Sequence, residues 1–398
     1  MMDLFKRQAG ETLYLERARR LAPLVAASSE EIERRRELTP ELVAALKEVG
    51  LFRMLLPRSL GGAELAPPRY AEVLEEVAKG DASTAWSLGQ NSGCSMAAAY
   101  LAPEAARAIF DGPDGILAWG PDLPNSGKGV AVEGGFWVSG KWGFASGSRH
   151  ASWLGAHVPI FAPNGSPHLG VGGRPLVRTM LFPRKSARII DDWRVIGLRG
   201  TGSDSYAVEN LFVPQEYTCS RDGPEERREE GPLYRFTSGM IYAASFGSVS
   251  LGIARATLDA FIAFARDKVP RGARRTLRED HAIQAEVGEC EARLSSSRAF
   301  LFAVLGEMWE EAMGGNEPAF EQQVKLRLAA TWAIRNSRDV VAAAYHRAGA
   351  AAIFEDNPFE RRFRDMHAGS QQGQGRPQHF ETVGQILLGL SPEGRMFR

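Results

Sequence analysis

The sequence predicts an α+β protein built in three successive parts: helices, a β-domain, and a second helical part that forms a bundle. Apolar residues recur at helical spacing over residues 11–112, and the period falls to two between about 115 and 218. Helical spacing returns from Phe236, in segments long enough to need long partners. The implied parts are 1–114, 115–221 and 222–398.

The elements follow in chain order. Thr39 and Pro40 form an N-cap and first-turn pair, Leu42, Leu46 and Val49 share one face, and Gly50 ends the run. After the loop Leu56–Gly62, Pro67 and Pro68 open a second helix through Lys79, with Gly80 as its stop. Asp81 caps a third, expected to reach about Tyr100; its small mixed residues suit tight packing or a pocket wall. In the middle, Gly134-Gly135 separates Val130–Glu133 from Phe136–Ser139, which is a two-residue hairpin signal. Further strands are expected at Trp153–Ile160, Thr179–Phe182, Trp193–Ile196 and Ala207–Val213, together a small β-domain or barrel. Long helices are then expected over 237–268, 279–313 and 317–347, with shorter ones near 359–371 and 377–389. An up-and-down four-helix bundle is the natural packing.

Composition narrows the function classes. The 398 residues carry 48 Lys+Arg against 48 Asp+Glu, so the chain lacks the basic excess that nucleic acid or an anionic membrane selects. No uninterrupted apolar run nears the ~20 residues of a membrane span. The first residues lack the apolar core of a signal peptide, so a cytoplasmic location is expected. Cys94, Cys219 and Cys290 are far apart, with no disulfide framework and no zinc pattern. The seven histidines show no metal spacing, and no HExxH, Walker A or GxSxG motif is present. Gly197–Ser203 is glycine-rich, but no βαβ pattern surrounds it, so it is not a dinucleotide fingerprint.

Several segments jointly resemble one family. Leu51–Pro57, Gly61-Gly62, Asp81–Trp86, Gly140–Trp153, Gly197–Asp204, Phe212–Pro214 and Arg361–Ala368 are similar to the flavin-dependent monooxygenase branch of the acyl-CoA dehydrogenase fold. The resemblance implies helices, a central β-barrel domain and a C-terminal four-helix bundle sharing one flavin cleft. It implies a two-component enzyme, in which a separate reductase supplies reduced FMN or FAD for oxygenation of a small aromatic or heteroatom-bearing molecule with O2. A homotetramer is also implied.

Residue roles follow at the matching positions. By resemblance Ser146 supplies a hydroxyl beside the flavin N5, and Trp142 or Phe144 lies against the ring. On spacing alone, Ser146 reads equally as a turn residue beside Gly147. Arg235 is a candidate cation for the reduced, anionic flavin and equally a solvated linker arginine. Thr201 and Ser203 either bind flavin or cap their turn.

The rival within the fold, dehydrogenation, needs a carboxylate base over the flavin. The family places it after the Arg364-Asp365 pair or on the first bundle helix. Met366–Phe380 and Phe236–Leu258 contain no Asp or Glu, so a dehydrogenase would need a displaced base. The branch's own histidines are replaced as well: Gln372 and Cys94 stand at those places. Glutamine is no base near neutral pH, so Gln372 is expected to orient substrate through its amide, and Cys94 to wall the pocket. A non-catalytic scaffold that has lost flavin binding is the reading from a different class.

Overall fold

The computed structural model describes residues 2–170, 173–220 and 223–391, with side chains from Thr12 onward. The first part opens with α1 (Met2–Arg35). Thr39 caps α2 (Pro40–Glu48) by accepting from the Leu42 N–H, and Gly50 ends it in the left-handed region at φ 76°. α3 (Pro67–Gly80) begins on its proline pair, and Asp81 caps α4 (Ala82–Ser95) by accepting from the Thr84 N–H at 2.7 Å. Residues Met96–Tyr100 tighten into a 3-10 turn before α5 (Pro103–Phe110), so α4 is shorter than its sequence suggests.

The central part pairs β1 (Leu117–Trp119), β2 (Gly127–Val132), β3 (Gly135–Trp142), β4 (Trp153–Phe161), β5 (Val177–Pro183), β6 (Arg188–Ile190), β7 (Ser205–Pro214) and β8 (Thr218–Cys219). Their order is β6-β7-β3-β2-β4-β5-β8, an open path among the described residues, with β1 set parallel on β4. Gly134 turns the β2–β3 hairpin at φ 77°, with Val132 opposite Gly135. Trp193–Ile196, expected as a strand, is irregular instead. Its donors go to neighbouring polar groups: the Trp193 N–H bonds the Asp204 carboxylate at 3.2 Å and its indole the Leu198 carbonyl at 3.0 Å. No strand ladder remains to be made there.

The last part contains α6 (Ser238–Asp267), α7 (His281–Met313), α8 (Phe320–Ala348), α9 (Pro358–Gly369) and α10 (Gln378–Leu387). α6 packs on α3, α4, α7, α8 and α9, which makes it the central helix of the molecule. By length and composition it could cross a membrane, but from Ser238 to Ala254 every residue except Tyr242 is buried by protein. Small residues allow the close approach. A Cβ on Gly89 would sit 2.1 Å from Ser245 Oγ, one on Gly93 2.4 Å from the Tyr242 ring, and one on Gly252 2.3 Å from the Glu75 carbonyl. Thus α6 sets side chains directly on the α4 backbone and its own backbone on α3, and α4 also packs on β1.

Candidate active site

Three hydroxyls form a chain where the loop after β3 meets the loop before β7. Ser146 Oγ lies 2.7 Å from Ser203 Oγ, which lies 2.7 Å from Thr201 Oγ1; Thr201 in turn donates to the Leu198 carbonyl at 2.8 Å. All three side chains are buried. Each hydroxyl has one proton, so the carbonyl at the end orders the whole series. The Thr201 proton goes to Leu198, the Ser203 proton must go to Thr201, and the Ser146 proton must go to Ser203. Ser146 is left with lone pairs only. It is an acceptor for whatever donor meets it in the cleft.

The carbonyl that sets this order is itself fixed. Leu198 adopts a left-handed backbone, φ 53°, unusual for a branched apolar residue. Its N–H donates to Asp365 of α9 at 2.6 Å, and its carbonyl also receives the Trp193 indole. Burial lifts the Asp365 carboxyl to about 7, and the Leu198 N–H offsets part of that shift. On either side the loop touches other chain segments. A Cβ on Gly197 would lie 2.1 Å from the Arg364 carbonyl, and one on Gly200 would lie 2.0 Å from Ile32 and 2.9 Å from Ser83. Asp204, buried beside the relay, holds Arg149 through bonds of 2.7 and 3.2 Å.

The turn that presents Ser146 is braced from α4. Asn91 donates to the Leu117 carbonyl at 3.0 Å and, at the limit of bonding, to the Ser146 carbonyl at 3.5 Å. With the amide hydrogens so placed, Asn91 Oδ1 must accept, and His150 Nε2 donates to it at 2.9 Å. His150 keeps a sliver of accessible surface, yet desolvation, aided by Lys47 and Arg184, pushes it down to about 3, so it stays neutral. Gly147 has φ 78°, and a Cβ there would stand 2.4 Å from Asn91 Oδ1. Asn91 did not stand out in sequence, and His150 did so only as a member of the Gly140–Trp153 segment, with no role attached to it.

The other expected site residues separate. Phe144 is 60% exposed at φ 58°, edge-on to Trp193 at 5.9 Å, and so presents an aromatic face two residues from Ser146. Trp142 faces the other way. It is 1% exposed, stacked on Tyr206 at 5.6 Å, and its indole donates to the His157 carbonyl at 3.3 Å. The side chain lies across Gly127 and Gly140, where a Cβ would meet it at 2.5 and 2.6 Å. Alternation along β3 turns it into the sheet core and away from the cleft. Arg235 precedes α6 and faces Glu317 at 3.5 Å, sharing that carboxylate with Arg227 at 2.9 Å.

Cys94 is fully buried on α4, next to Tyr242 of α6: Sγ and the phenol oxygen are 3.7 Å apart. Gln90, one helical turn earlier, points its amide nitrogen at Cys94 Sγ, the Trp119 carbonyl and the Tyr242 hydroxyl, at 3.6, 3.3 and 3.4 Å. A stacked aromatic series runs beside them, with Tyr242 on Phe246 at 5.8 Å and Phe246 on Trp86 at 4.1 Å. Gln372 is half-buried and caps a short turn after α9, its amide oxygen accepting from the Gln374 N–H at 2.6 Å. Among the described residues the Gln372 amide nitrogen makes no hydrogen bond. His379 bonds Thr331 at 3.0 Å and is lowered to about 4 by burial. His367 lies against Phe363, ring centroids 4.1 Å apart, and desolvation lowers its pKa too.

Comparison with known proteins adds context to this geometry. Residues 11–109 match the family profile "Acyl-CoA dehydrogenase, N-terminal domain", and residues 244–373 match "Acyl-CoA dehydrogenase, C-terminal domain". Between them the two profiles cover more than half of the chain. Indole-3-acetate monooxygenase of Pseudomonas putida is 29% identical over 341 residues, spanning 86% of this chain and 85% of that protein. The oxygenase component of the FADH2-dependent resorcinol hydroxylase of Rhizobium sp. is 27% identical over 364 residues, with 86% of each covered. Among solved structures, XiaF of Streptomyces sp. in complex with FADH2 and glycerol superposes with a TM-score of 0.90 at 21% identity, covering 99% of this chain and 100% of that one.

Proposed function

The chain belongs to the acyl-CoA dehydrogenase family, in its flavin-dependent monooxygenase branch, and we propose that it oxygenates a flat aromatic or heteroatom-bearing molecule. It does so as the oxygenase of a two-component system, with reduced FMN or FAD delivered by a separate reductase and O2 as co-substrate. The observation that carries this reading is the ordered hydroxyl series. Ser146 offers lone pairs and no proton, and reduced flavin, unlike oxidised flavin, carries a hydrogen on N5. The residues present therefore fit the reduced cofactor.

When bound, reduced flavin supplies the electrons that activate dioxygen. The chain's own groups do the rest. Ser146 would accept a hydrogen bond from the cofactor, with Ser203 and Thr201 holding it in that role, and Phe144 would offer its exposed face to the ring. Trp142 acts at one remove, as the packed floor of the strand that carries the Ser146 turn. Arg235, partly countered by Glu317, adds positive charge near the start of α6. The interior face of α6 and the small residues of α4 keep water out, which strengthens each polar contact inside. Dehydrogenation is disfavoured because Phe236–Leu258 and Met366–Phe380 provide no carboxylate.

Substrate lies against α4 and α6 near Cys94, with the Gln372 amide as a candidate donor. We further propose a cytoplasmic homotetramer; Trp332, Phe320, Ile353 and Phe354 are all more than 40% exposed on the C-terminal helical part and would be covered by a second copy. Light scattering at micromolar concentration tests this, and a monomer refutes it.

The functional test is rapid mixing. Reduced flavin bound under anaerobic conditions and then exposed to oxygen should pass through a transient spectrum distinct from both reduced and oxidised flavin. Direct, featureless reoxidation that is identical in S146A refutes the reading.

A further inference from the structure

Two side chains interrupt an otherwise sealed interface. Along α4 every residue from Ala82 to Ser95 is buried except Gln90, and along α6 every residue from Ser238 to Ala254 is buried except Tyr242. These two exceptions touch each other, the amide nitrogen of Gln90 lying 3.4 Å from the Tyr242 hydroxyl. The pair lies where α4, α6 and β1 meet, next to Cys94 and the Trp119 carbonyl.

The orientation of the Gln90 amide can be assigned. The Trp119 carbonyl, 3.3 Å away, can only accept, so the nitrogen and not the oxygen must face it. Reversing the amide would set two carbonyl oxygens against each other. The nitrogen hydrogens are thus committed to Trp119 and Tyr242, and Gln90 Oε1 is turned the other way. Among the described residues it accepts no hydrogen bond, while the ring of Tyr242, backed by the buried Phe246 and Trp86 stacked behind it, is the aromatic surface alongside.

We infer that Gln90 is the specificity-determining acceptor of the substrate site, selecting a planar molecule that carries a ring N–H or O–H. An acceptor beside stacked rings recognises that combination: the ring area packs on aromatic side chains, and the single donor fixes the register. A molecule of the same shape without the donor leaves Oε1 desolvated and unpaired, and that penalty is what discriminates. The inference rests on the reading of this space as the substrate side of the oxygenase cleft.

The test compares indole with 1-benzofuran, which has the same outline but no ring N–H, by calorimetric titration of the full chain. Indole should bind about tenfold or more tightly than benzofuran. Q90L should abolish the preference while leaving benzofuran affinity nearly unchanged. Q90M serves as the second apolar variant if leucine prevents folding. Equal affinities in the wild-type chain, binding of neither compound, or a preference that survives Q90L or Q90M overturns the inference. Flavin affinity is measured separately: a chain that binds no flavin but still discriminates the two compounds refutes the oxygenase reading and leaves the Gln90 assignment standing.

Discussion

Replacing Ser203 by alanine removes the group that takes the Ser146 proton. In the intact chain the bonds of 2.7 Å from Ser146 to Ser203 and of 2.7 Å from Ser203 to Thr201 end at the Leu198 carbonyl, and their order makes Ser146 an acceptor. In S203A the Ser146 hydroxyl loses its partner and turns its proton into the cleft. Two buried bonds disappear, for a stability loss of about 1–3 kcal/mol. The more specific consequence is redox selectivity. An acceptor favours the N5–H of reduced flavin, whereas a free hydroxyl can also donate to N5 of oxidised flavin. One hydrogen bond of about 1.4 kcal/mol is a factor of ten in affinity, so the ratio of oxidised to reduced dissociation constants should fall about tenfold. For a two-electron couple that lowers the bound-flavin midpoint potential by about 30 mV. T201V, one link further from the cleft, releases the same series and should move the ratio in the same direction. The assay pairs fluorescence titration of oxidised flavin with anaerobic titration of reduced flavin, checked by potentiometry. An unchanged ratio in S203A, T201V and S146A together would refute the hydroxyl-order argument.

Other expectations are independent of that one. Asp365 is lifted to about 7 by burial, so the folded chain retains a proton that the unfolded chain has released; its stabilising contribution is complete below ~4 and lost as pH rises through about 7. D365N keeps the acceptor for Leu198 without the charge and should gain on the wild type between pH 5 and pH 8, by at most about 4 kcal/mol in chemical denaturation; a gain that is flat with pH counts against the shift. G147A places a Cβ 2.4 Å from Asn91 Oδ1 on a φ 78° backbone, and should weaken flavin binding with a stability loss of about 2 kcal/mol or more. W142F should lower thermal stability by about 1–3 kcal/mol through the lost packing and the lost bond to His157, while leaving the oxidised-to-reduced affinity ratio within twofold of wild type. A selective change in that ratio would put Trp142 back against the flavin.

Local signals explain why the helices were legible. Thr39, Asp81 and the proline pair at 67–68 are caps whose effect is confined to a few residues, and the structure uses each at the position it marks. Short strands are harder. Leu117–Trp119, Arg188–Ile190 and Thr218–Cys219 are too brief to show alternation, and their pairing depends on partners far away in sequence. Trp193–Ile196 has strand composition, but Asp204, contributed by another segment, takes its backbone donor. The site divides along the same line. Ser146, Thr201 and Ser203 could be named individually, whereas their order as a proton chain depends on a carbonyl placed by Asp365, which no spacing reveals. Between Trp142 and Phe144 the sequence left the choice open: a motif position does not say to which side of a strand a side chain turns, and the glycines at 127 and 140 make room for Trp142 in the core.

The loop between Gly197 and Asp204 takes its shape from contacts scattered along the whole chain. Ile32 and Ser83 press on it from the first part, Ser146 and Arg149 from the loop after β3, and Arg364 and Asp365 from the last part. The shape of the loop therefore depends on all three parts being in place. A chain still on the ribosome, nicked between its parts or truncated before α9 lacks at least one of these stops, and the Leu198 carbonyl is then free to point elsewhere. Such a species has the serines but not their order. On the reading proposed for Ser146, such a species lacks the acceptor that would meet the reduced cofactor.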